Sequence, residues 1–210
     1  MKGKFITFEG PDGAGKSTHL RHAVAQLQEA GYAVRVTREP GGCPISEEIR
    51  RLLLDPNHAE MSPVTEALLY AASRAQHVEE VIRPALERGE AVVCDRYLDS
   101  SLAYQGHGRG LGEAWVRSIN ERAVAGCLPD LTILLMLPPE ASRARLEAAG
   151  RTLDRLEREK LDFHTRVWTG FQKVAERQPE RFLVLDVQDD IATNAEKLQH
   201  ALAERLAAWR

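Results

Sequence analysis

Five short runs of apolar and β-branched residues alternate along the chain with longer segments in which apolar residues recur at helical spacing. The runs are Lys4 to Phe8, Ala33 to Thr37, Ala91 to Cys94, Leu131 to Leu137 and Phe182 to Val187. Near-continuous apolar runs of this length are typical of strands in a parallel sheet that is covered on both faces. The pattern therefore predicts a sheet of five parallel strands.

Helical spacing fills the intervals between these strands. The predicted helices are Ser17 to Ala30, Ile45 to Leu54, Pro63 to Glu87 with a bend at Pro84, Glu113 to Ala125, Pro139 to Ala149, Asp154 to Arg177 and Ile191 to Trp209. Strands that alternate with helices predict a doubly wound α/β fold with right-handed crossovers. Ligands of such folds lie outside the carboxyl ends of the strands, so we expect the chemistry there.

Length and composition narrow the class of protein. The chain has 210 residues, of which 43% are hydrophobic and 28% charged, and its formal net charge is −3. This size predicts one domain, spanning residues 1–210, that buries a full hydrophobic core. The charge balance argues against a nucleic-acid-binding protein, and no apolar run is long enough to cross a membrane.

The cysteines and the N-terminus bear on the cellular compartment. Cys43, Cys94 and Cys127 are widely spaced and form no CxxC pair, which argues against a disulfide framework or a zinc site. The first apolar run has no signal-peptide pattern. Together these features predict a cytoplasmic protein.

A glycine-rich loop directly follows the first predicted strand. Its residues, which fit the P-loop pattern G-x-x-x-x-G-K-[ST], are Gly10, Pro11, Asp12, Gly13, Ala14, Gly15, Lys16 and Ser17, and Thr18 follows in the helix. Glycines let backbone N–H groups surround a phosphate chain, and the following helix presents its N-terminus to the anion. We expect Lys16 to reach the β- and γ-phosphates of a nucleoside triphosphate and the Ser17 hydroxyl to coordinate Mg²⁺.

Three other interpretations of the loop are weaker. A chance match in a glycine-rich turn would not be expected between a strand and a helix. A dinucleotide-binding fingerprint needs a third glycine where this chain has Thr18. A GTPase would carry D-x-x-G and N-K-x-D motifs at strand ends, and neither occurs there downstream of the loop. A small-molecule kinase fits the size of the chain.

Charged residues follow two further strands at their carboxyl ends. Arg38, in the segment TREPGG, would point into the crevice there, with a solvated surface arginine as the alternative. Asp95 would hold Mg²⁺ or position an attacking oxygen, and the adjacent Arg96 would bind an acceptor phosphate. The alternative for this pair is a buried structural ion pair, although its position at a strand end beside the P-loop favours function.

Two segments suit a pocket for a planar base and its sugar. Tyr70 and Arg74 are four residues apart on a predicted helix and therefore share one face, where a ring and a guanidinium can contact a base. The alternative is a half-buried Tyr70 beside a solvated Arg74. The segment Ser100 to Gly106 adds hydroxyls, an aromatic ring and an amide.

Arginine is concentrated late in the chain. Six arginines lie between positions 143 and 166, namely Arg143, Arg145, Arg151, Arg155, Arg158 and Arg166. For Arg158 and Arg166 we favour solvated helical ion pairs, each worth only about a few tenths of a kcal/mol. Arg151 differs because it lies in a break after Gly150, where a closing loop would bring an arginine to the transferred phosphoryl group.

In this order and spacing, the segments EGPDGAGKST, TREPGG, YAASRAQHVEEVI, DRYLDSSLAYQG and LDRLE closely resemble bacterial thymidylate kinases, members of the P-loop nucleoside monophosphate kinase family. The resemblance spans Phe5 to Val187, and TREPGG and DRY…AYQG are its most discriminating parts. It implies transfer of the γ-phosphoryl group of ATP to dTMP, giving dTDP and ADP, with Mg²⁺. Another P-loop nucleotide or nucleoside kinase is the alternative, and a non-catalytic nucleotide-binding protein is a more distant one.

The resemblance also implies roles for the acceptor site. Asp12 meets the region of the 3′-hydroxyl, Tyr70 stacks on thymine and Arg74 donates to its O4. Arg38 binds the acceptor phosphate and Pro40 packs near the base. The remaining implied dTMP contacts are Arg96 at the phosphate, Ser101 toward the base edge, Tyr104 at the 2′ position, where it disfavours ribose, and Gln105.

For the donor site, the resemblance implies ATP binding by residues 10–18, with Ser17 and Asp95 at the metal. It places Arg151 and Arg155 in a small arginine-rich lid at about residues 143–158. The implied catalytic residues are Lys16, Asp95, Arg96, Arg151 and Arg155. Members of the family usually form homodimers, with the long helix from Pro63 to Glu87 as a contributor.

Overall fold

A five-stranded parallel sheet forms the centre of the protein in the computed structural model, which describes residues 3–150 and 152–209. Its strands are β1 (Lys4–Glu9), β2 (Val34–Arg38), β3 (Ala91–Asp95), β4 (Leu131–Met136) and β5 (Phe182–Asp186). Their spatial order is β2-β3-β1-β4-β5, and every neighbouring pair is parallel. The predicted fold class, a doubly wound five-stranded parallel sheet flanked by helices, is confirmed.

The strand register places the functional loops side by side. Asp95 on β3 lies opposite Phe8 on β1 and Arg38 on β2, so these three strands end at the same level. Because the P-loop, the Glu39 turn and Arg96 begin at those ends, the register brings them together.

Helices connect the strands and cover both faces of the sheet. They are α1 (Lys16–Glu29), α2 (Pro44–Leu54), α3 (Pro63–His77), the π-helical turn π1 (Val78–Ile82), α4 (Arg83–Glu87), α5 (Leu98–Ser101), the π-helix π2 (Leu102–Gly108), α6 (Glu113–Val124), α7 (Pro139–Ala148), α8 (Leu161–Glu176) and α9 (Ile191–Ala208). The segment predicted as one long helix from Pro63 is continuous, but it widens into π1 just before Pro84, which has no N–H to donate.

Alternate residues of the strands enter two separate cores. Phe5 and Val92 pack on one side of the sheet with residues of α8 and π2, and Ile6 and Val93 pack on the other with residues of α1 and α9. The edge strands differ from the predicted pattern, since Val36 on β2 and Val184 on β5 are each 51% exposed. Only the central strands are covered on both faces.

Two segments differ from the predicted helices. The helix predicted from Asp154 begins only at Leu161, because Asp154 Oδ1 accepts the backbone N–H groups of Leu156 and Glu157 and holds a turn there. The helical stretch from α5 through π2 was not predicted. No helix in residues 3–150 and 152–209 is long and apolar enough to cross a membrane.

Candidate active site

The P-loop wraps closely around the end of β1. Gly10 has φ 128°, and a Cβ there would lie 2.2 Å from the Leu135 carbonyl oxygen, so only glycine fits. The buried Lys16 ammonium donates to the carbonyl oxygens of Gly10 (3.2 Å) and Pro11 (2.9 Å). Burial and the nearby Arg96 lower the pKa of Lys16. The Lys16 side chain therefore lies against the P-loop.

Arg96 connects the end of β3 to the P-loop. Its backbone is left-handed, with φ 68°, and its N–H donates to the Phe8 carbonyl oxygen (2.9 Å). The guanidinium donates to the Gly10 carbonyl oxygen (2.9 Å), Asp12 Oδ1 (2.7 Å), Ser100 Oγ (3.1 Å) and Tyr104 Oη (3.3 Å). Four acceptors from three segments fix this cation in one orientation.

The Asp12 carboxylate is the counterion of Arg96. The Tyr104 hydroxyl donates to Asp12 Oδ2 (3.2 Å). Burial acts to raise the pKa of Asp12, but Arg96 and Lys16 outweigh it and hold that pKa well below its usual range. Asp12 is therefore ionised at neutral pH.

Asp95, the last residue of β3, lines a cavity together with residues of the P-loop. Its Oδ1 atom is buried and has no hydrogen-bond partner among residues 3–150 and 152–209, and Asp95 and Ser17 line one cavity. A carboxylate oxygen without a donor, on a residue that lines the same cavity as a serine, fits a divalent cation. The described residues hold no cluster of three His, Cys, Asp or Glu side chains suited to a metal. Mg²⁺ takes few protein ligands and relies on phosphate oxygens and water.

Two neighbouring cavities meet at this point. The first, of about 430 Å³, is lined by the P-loop, Arg38, Asp95 and Arg145. The second, of about 320 Å³, is lined by Pro40, Tyr70, Arg74, Tyr104 and Gln105 among others. Four residues line both cavities, namely Asp12, Glu39, Arg50 and Arg96. The shared boundary carries two guanidiniums and two carboxylates, and the guanidiniums can contact anionic groups in either cavity.

Arg74 is held from several sides. It is 1% exposed and donates to Glu39 Oε2 (2.8 Å), Asn120 Oδ1 (2.5 Å), the Tyr97 carbonyl oxygen (3.1 Å) and Ser101 Oγ (3.1 Å). The alternative of a solvated Arg74 is therefore wrong. Its position at the wall of the second cavity is set by these four hydrogen bonds.

A sequence model described as thymidylate kinase matches residues 8–198. This chain belongs to the thymidylate kinase family. A thymidylate kinase of Exiguobacterium sp. is 50% identical over 206 residues, covering 98% of this chain and 97% of that protein. The thymidylate kinase of Deinococcus radiodurans is 55% identical over 185 residues, covering 88% and 89%. The crystal structure of thymidylate kinase from Ehrlichia chaffeensis is 30% identical, with a TM-score of 0.78 and coverage of 97% and 99%.

The family resemblance is thus confirmed, and the structure places most of the residues that it singled out around the two cavities. P-loop residues and Asp95 line the first cavity, which is called the phosphate-side cavity from here on. The second cavity is lined by Asp12, Pro40, Tyr70, Arg74, Arg96, Ser101, Tyr104 and Gln105. Arg38 lines the phosphate-side cavity, where its guanidinium contacts both Glu47 carboxylate oxygens at 2.9 Å. The residues that the resemblance assigned to the donor and acceptor sites therefore lie around two adjoining cavities.

The expected lid arginines have a different outcome. Arg151 lies outside the described residues. Arg155 is buried and does not line the phosphate-side cavity; it donates from Nε to the Leu53 carbonyl oxygen (2.7 Å) and pairs with Glu66 (2.7 Å). This position does not support the expected contact of Arg155 with phosphates. Arg145 instead lines the phosphate-side cavity and donates to the Gly13 carbonyl oxygen (3.3 Å).

Several residues of the site were missed in the sequence. Arg50 lines both cavities from α2, and no motif marks it. Glu39 lies inside TREPGG, where its charge was a usable signal, and it accepts from Arg74 and from His77 Nδ1 (3.0 Å). Glu9 precedes the P-loop and accepts from the Tyr97 N–H (2.8 Å) and the Ser100 hydroxyl (2.5 Å). These acidic residues hold the functional arginines and hydroxyls in place.

Proposed function

We propose that this member of the thymidylate kinase family transfers the γ-phosphoryl group of ATP to dTMP, giving dTDP and ADP. The single observation that carries the assignment is the shared boundary of the two cavities, where Asp12, Glu39, Arg50 and Arg96 line both. A donor in one cavity and an acceptor in the other place their phosphates at this shared boundary. Phosphoryl transfer requires such a meeting point.

In this proposal the second cavity takes the nucleoside of dTMP. Tyr70 stacks on thymine, Arg74 donates to its O4 and Pro40 packs near the base. Tyr104 crowds the 2′ position of the sugar. Ser101 and Gln105 add polar groups toward the base, and Asp12 meets the 3′-hydroxyl region.

The phosphate-side cavity takes ATP. Residues 10–18 surround its phosphates, and Lys16 reaches the β- and γ-phosphates. Arg38 and Arg96 bind the acceptor phosphate, and Arg151 contacts the phosphates of the donor. Ser17 and Asp95 hold Mg²⁺, which neutralises phosphate charge when it is bound.

The chain's contribution to the reaction is electrostatic. The acceptor phosphate is already an anionic nucleophile, so no strong general base is needed. Lys16, Arg38 and Arg96 offset the repulsion between two anions and align them for in-line transfer. Because four protein acceptors hold the Arg96 guanidinium in one orientation, little reorganisation is required during the reaction.

ADP formation from Mg·ATP with dTMP, dUMP, UMP, dCMP, dGMP and AMP, beside a reaction without acceptor, tests the proposal. We expect turnover with dTMP and at most weak turnover with dUMP. Preference for another acceptor would contradict the proposed pocket, and ADP formation without acceptor would contradict kinase activity. Lys16→Ala should abolish transfer, with a loss of about 10³-fold or more. Lys173→Ala, an exposed lysine on α8, is the matched control.

We also propose that the chain is cytoplasmic and acts as a homodimer through α3. Val64 and Leu68 lie four residues apart on α3 and are 45% and 49% exposed, so they form one apolar face. Sedimentation equilibrium should give about twice the 23.4 kDa chain mass, and Leu68→Glu should shift it toward the monomer. A monomeric wild type would contradict the dimer.

A further inference from the structure

Glu66 on α3 is a buried carboxylate outside both cavities. It is 0% exposed and accepts from Gln105 Nε2 (2.9 Å) and from Arg109 Nη2 (2.9 Å), and it pairs with Arg155 Nη1 (2.7 Å). Burial acts to raise the pKa of Glu66, but the hydrogen bonds from Arg109 and Gln105 outweigh it and lower that pKa. A charged group therefore joins three segments of the chain inside the protein.

One of these segments runs between α7 and α8. Arg155 attaches it to the end of α2, since its backbone N–H donates to the Leu54 carbonyl oxygen (3.1 Å) and its Nε donates to the Leu53 carbonyl oxygen (2.7 Å). Arg155 Nη2 is buried and has no hydrogen-bond partner within the described part of the chain. Glu66 is thus the carboxylate that compensates the charge of this guanidinium.

The same segment forms a wall of the second cavity, which is called the acceptor cavity from here on because the proposed function places dTMP there. Asp154, Leu156 and Glu157 line that cavity, on either side of Arg155 in the sequence. Gln105 lines it from π2 and donates to Glu66. Two parts of the cavity wall, far apart in the sequence, are therefore joined through one carboxylate beneath them.

Arg109 provides a second contact between Glu66 and the segment that connects α7 to α8. Its guanidinium contacts both oxygens of Glu66 and donates to Glu159 Oε1 (2.5 Å). It also lies over the ring of Phe163, 4.6 Å from the centroid, where α8 begins. The segment is held at Arg155 and again at Glu159, and both contacts lead to Glu66.

We propose that Glu66 is a positioning residue for the acceptor nucleotide, because through Arg155 and Gln105 it holds residues 154–157 as a wall of the acceptor cavity. This inference rests on the proposed function, since it takes dTMP as the occupant. It does not involve the donor site, because neither Glu66 nor Arg155 lines the phosphate-side cavity. Loss of the contact between Glu66 and Arg155 should weaken the binding of dTMP and leave the binding of ATP nearly unaffected.

Arg155→Met tests the inference directly, because it removes the guanidinium and keeps most of the side-chain volume. Glu66 retains Arg109 and Gln105 in this variant. We expect the KM for dTMP to rise about 10- to 100-fold, as for a misplaced binding group, while the KM for ATP stays near that of the wild type. Glu66→Gln should give the same split between the two KM values. Arg122→Met, at an exposed arginine on α6, is the matched control.

Amide hydrogen exchange supplies a second readout. In the wild type, dTMP should slow exchange across residues 152–160, and this protection should be lost in Arg155→Met while the exchange of β1 and β3 stays unchanged. Equal rises in both KM values, or unchanged dTMP protection in Arg155→Met, would show a purely structural role and overturn the inference. A wild type that neither binds nor phosphorylates dTMP would instead overturn the proposed function.

Discussion

Arg96 Nη2 donates to Asp12 Oδ1 across 2.7 Å and so ties the end of β3 to the P-loop. Arg96 directly follows the last residue of β3 and Asp12 lies in the P-loop, 84 positions earlier in the sequence. The pair sits where the two cavities meet, and Arg96 is left-handed at that point. The strand ends are thus joined by an ion pair at the place proposed for phosphoryl transfer.

Arg96→Lys should therefore impair the reaction strongly. A lysine keeps the charge, but it cannot reach Gly10, Asp12, Ser100 and Tyr104 together in the fixed fork that a guanidinium provides. We expect kcat/KM for dTMP to fall about 10²- to 10³-fold. Steady-state kinetics measure this, with the exposed Arg88→Lys as control. Retention of activity within a few-fold would mean that charge alone is sufficient.

Two substitutions of Tyr104 distinguish the effect of its ring from the effect of its hydroxyl group on acceptor selectivity. Tyr104→Ala opens space at the proposed 2′ position, so the ratio of kcat/KM for dTMP over its ribonucleotide counterpart should fall. Tyr104→Phe keeps the ring and loses the hydrogen bond to Asp12, so the ratio should stay close to that of the wild type. The two acceptors are compared in parallel assays. An unchanged ratio in the alanine variant would refute the proposed role.

Arg74→Met should lower both stability and acceptor affinity. Glu39, which is 4% exposed, would keep His77 but lose its guanidinium partner. Breaking one side of a buried pair costs about 3–5 kcal/mol in the free energy of unfolding. Urea unfolding measures this cost, and the KM for dTMP should rise far more than that for ATP. Arg83→Met, on α4, is the control, and equal rises in the two KM values would assign Arg74 a structural role only.

Glu9 makes the stability depend on pH. Burial, with the nearby charge of Asp99, raises the pKa of Glu9 to about 8. The folded state therefore favours the protonated carboxyl, and this contribution is complete below the unfolded pKa of about 4.5 and is lost as the pH rises through about 8. Glu9→Gln imitates the protonated form and keeps an acceptor for the Tyr97 N–H.

Comparison of the two proteins checks the direction of this effect. Between about pH 5 and pH 9, the free energy of unfolding of the wild type should fall relative to that of Glu9→Gln. Urea unfolding at several pH values gives the difference. A constant difference across this range would mean that Glu9 does not titrate there.

The strands and the P-loop could be predicted because their signals are local. Apolar β-branched runs define the strands to within about two residues, and Gly10 to Ser17 form one contiguous motif. The burial of Arg74 could not be predicted in this way. Helical spacing places Tyr70 and Arg74 on one face, but it does not show that Asn120 and Ser101 cover that face.

The turn at residues 154–160 and the role of Arg155 were missed for a related reason. Helix-forming residues fill this segment, yet the Asp154 carboxylate competes for its backbone N–H groups, and Arg155 bonds to α2 about 100 positions earlier. Glu66 contacts Gln105, Arg109 and Arg155, which lie 39, 43 and 89 positions further along the chain. Such contacts depend on the assembled tertiary structure, which periodicity does not describe.

The π-helix π2 makes the floor of the acceptor cavity sensitive to chain length. The Arg109 N–H donates to the Tyr104 carbonyl oxygen five residues earlier, so this turn holds one residue more than an α-helical turn. Tyr104 and Gln105, two consecutive residues of π2, both line the cavity. Deletion of Ala103 would restore the α-helical repeat and rotate the side chains on one side of the gap by about 100° relative to the other. A single deletion here would separate Asp12 from Tyr104, or Glu66 from Gln105, although every other residue of the site remained unchanged.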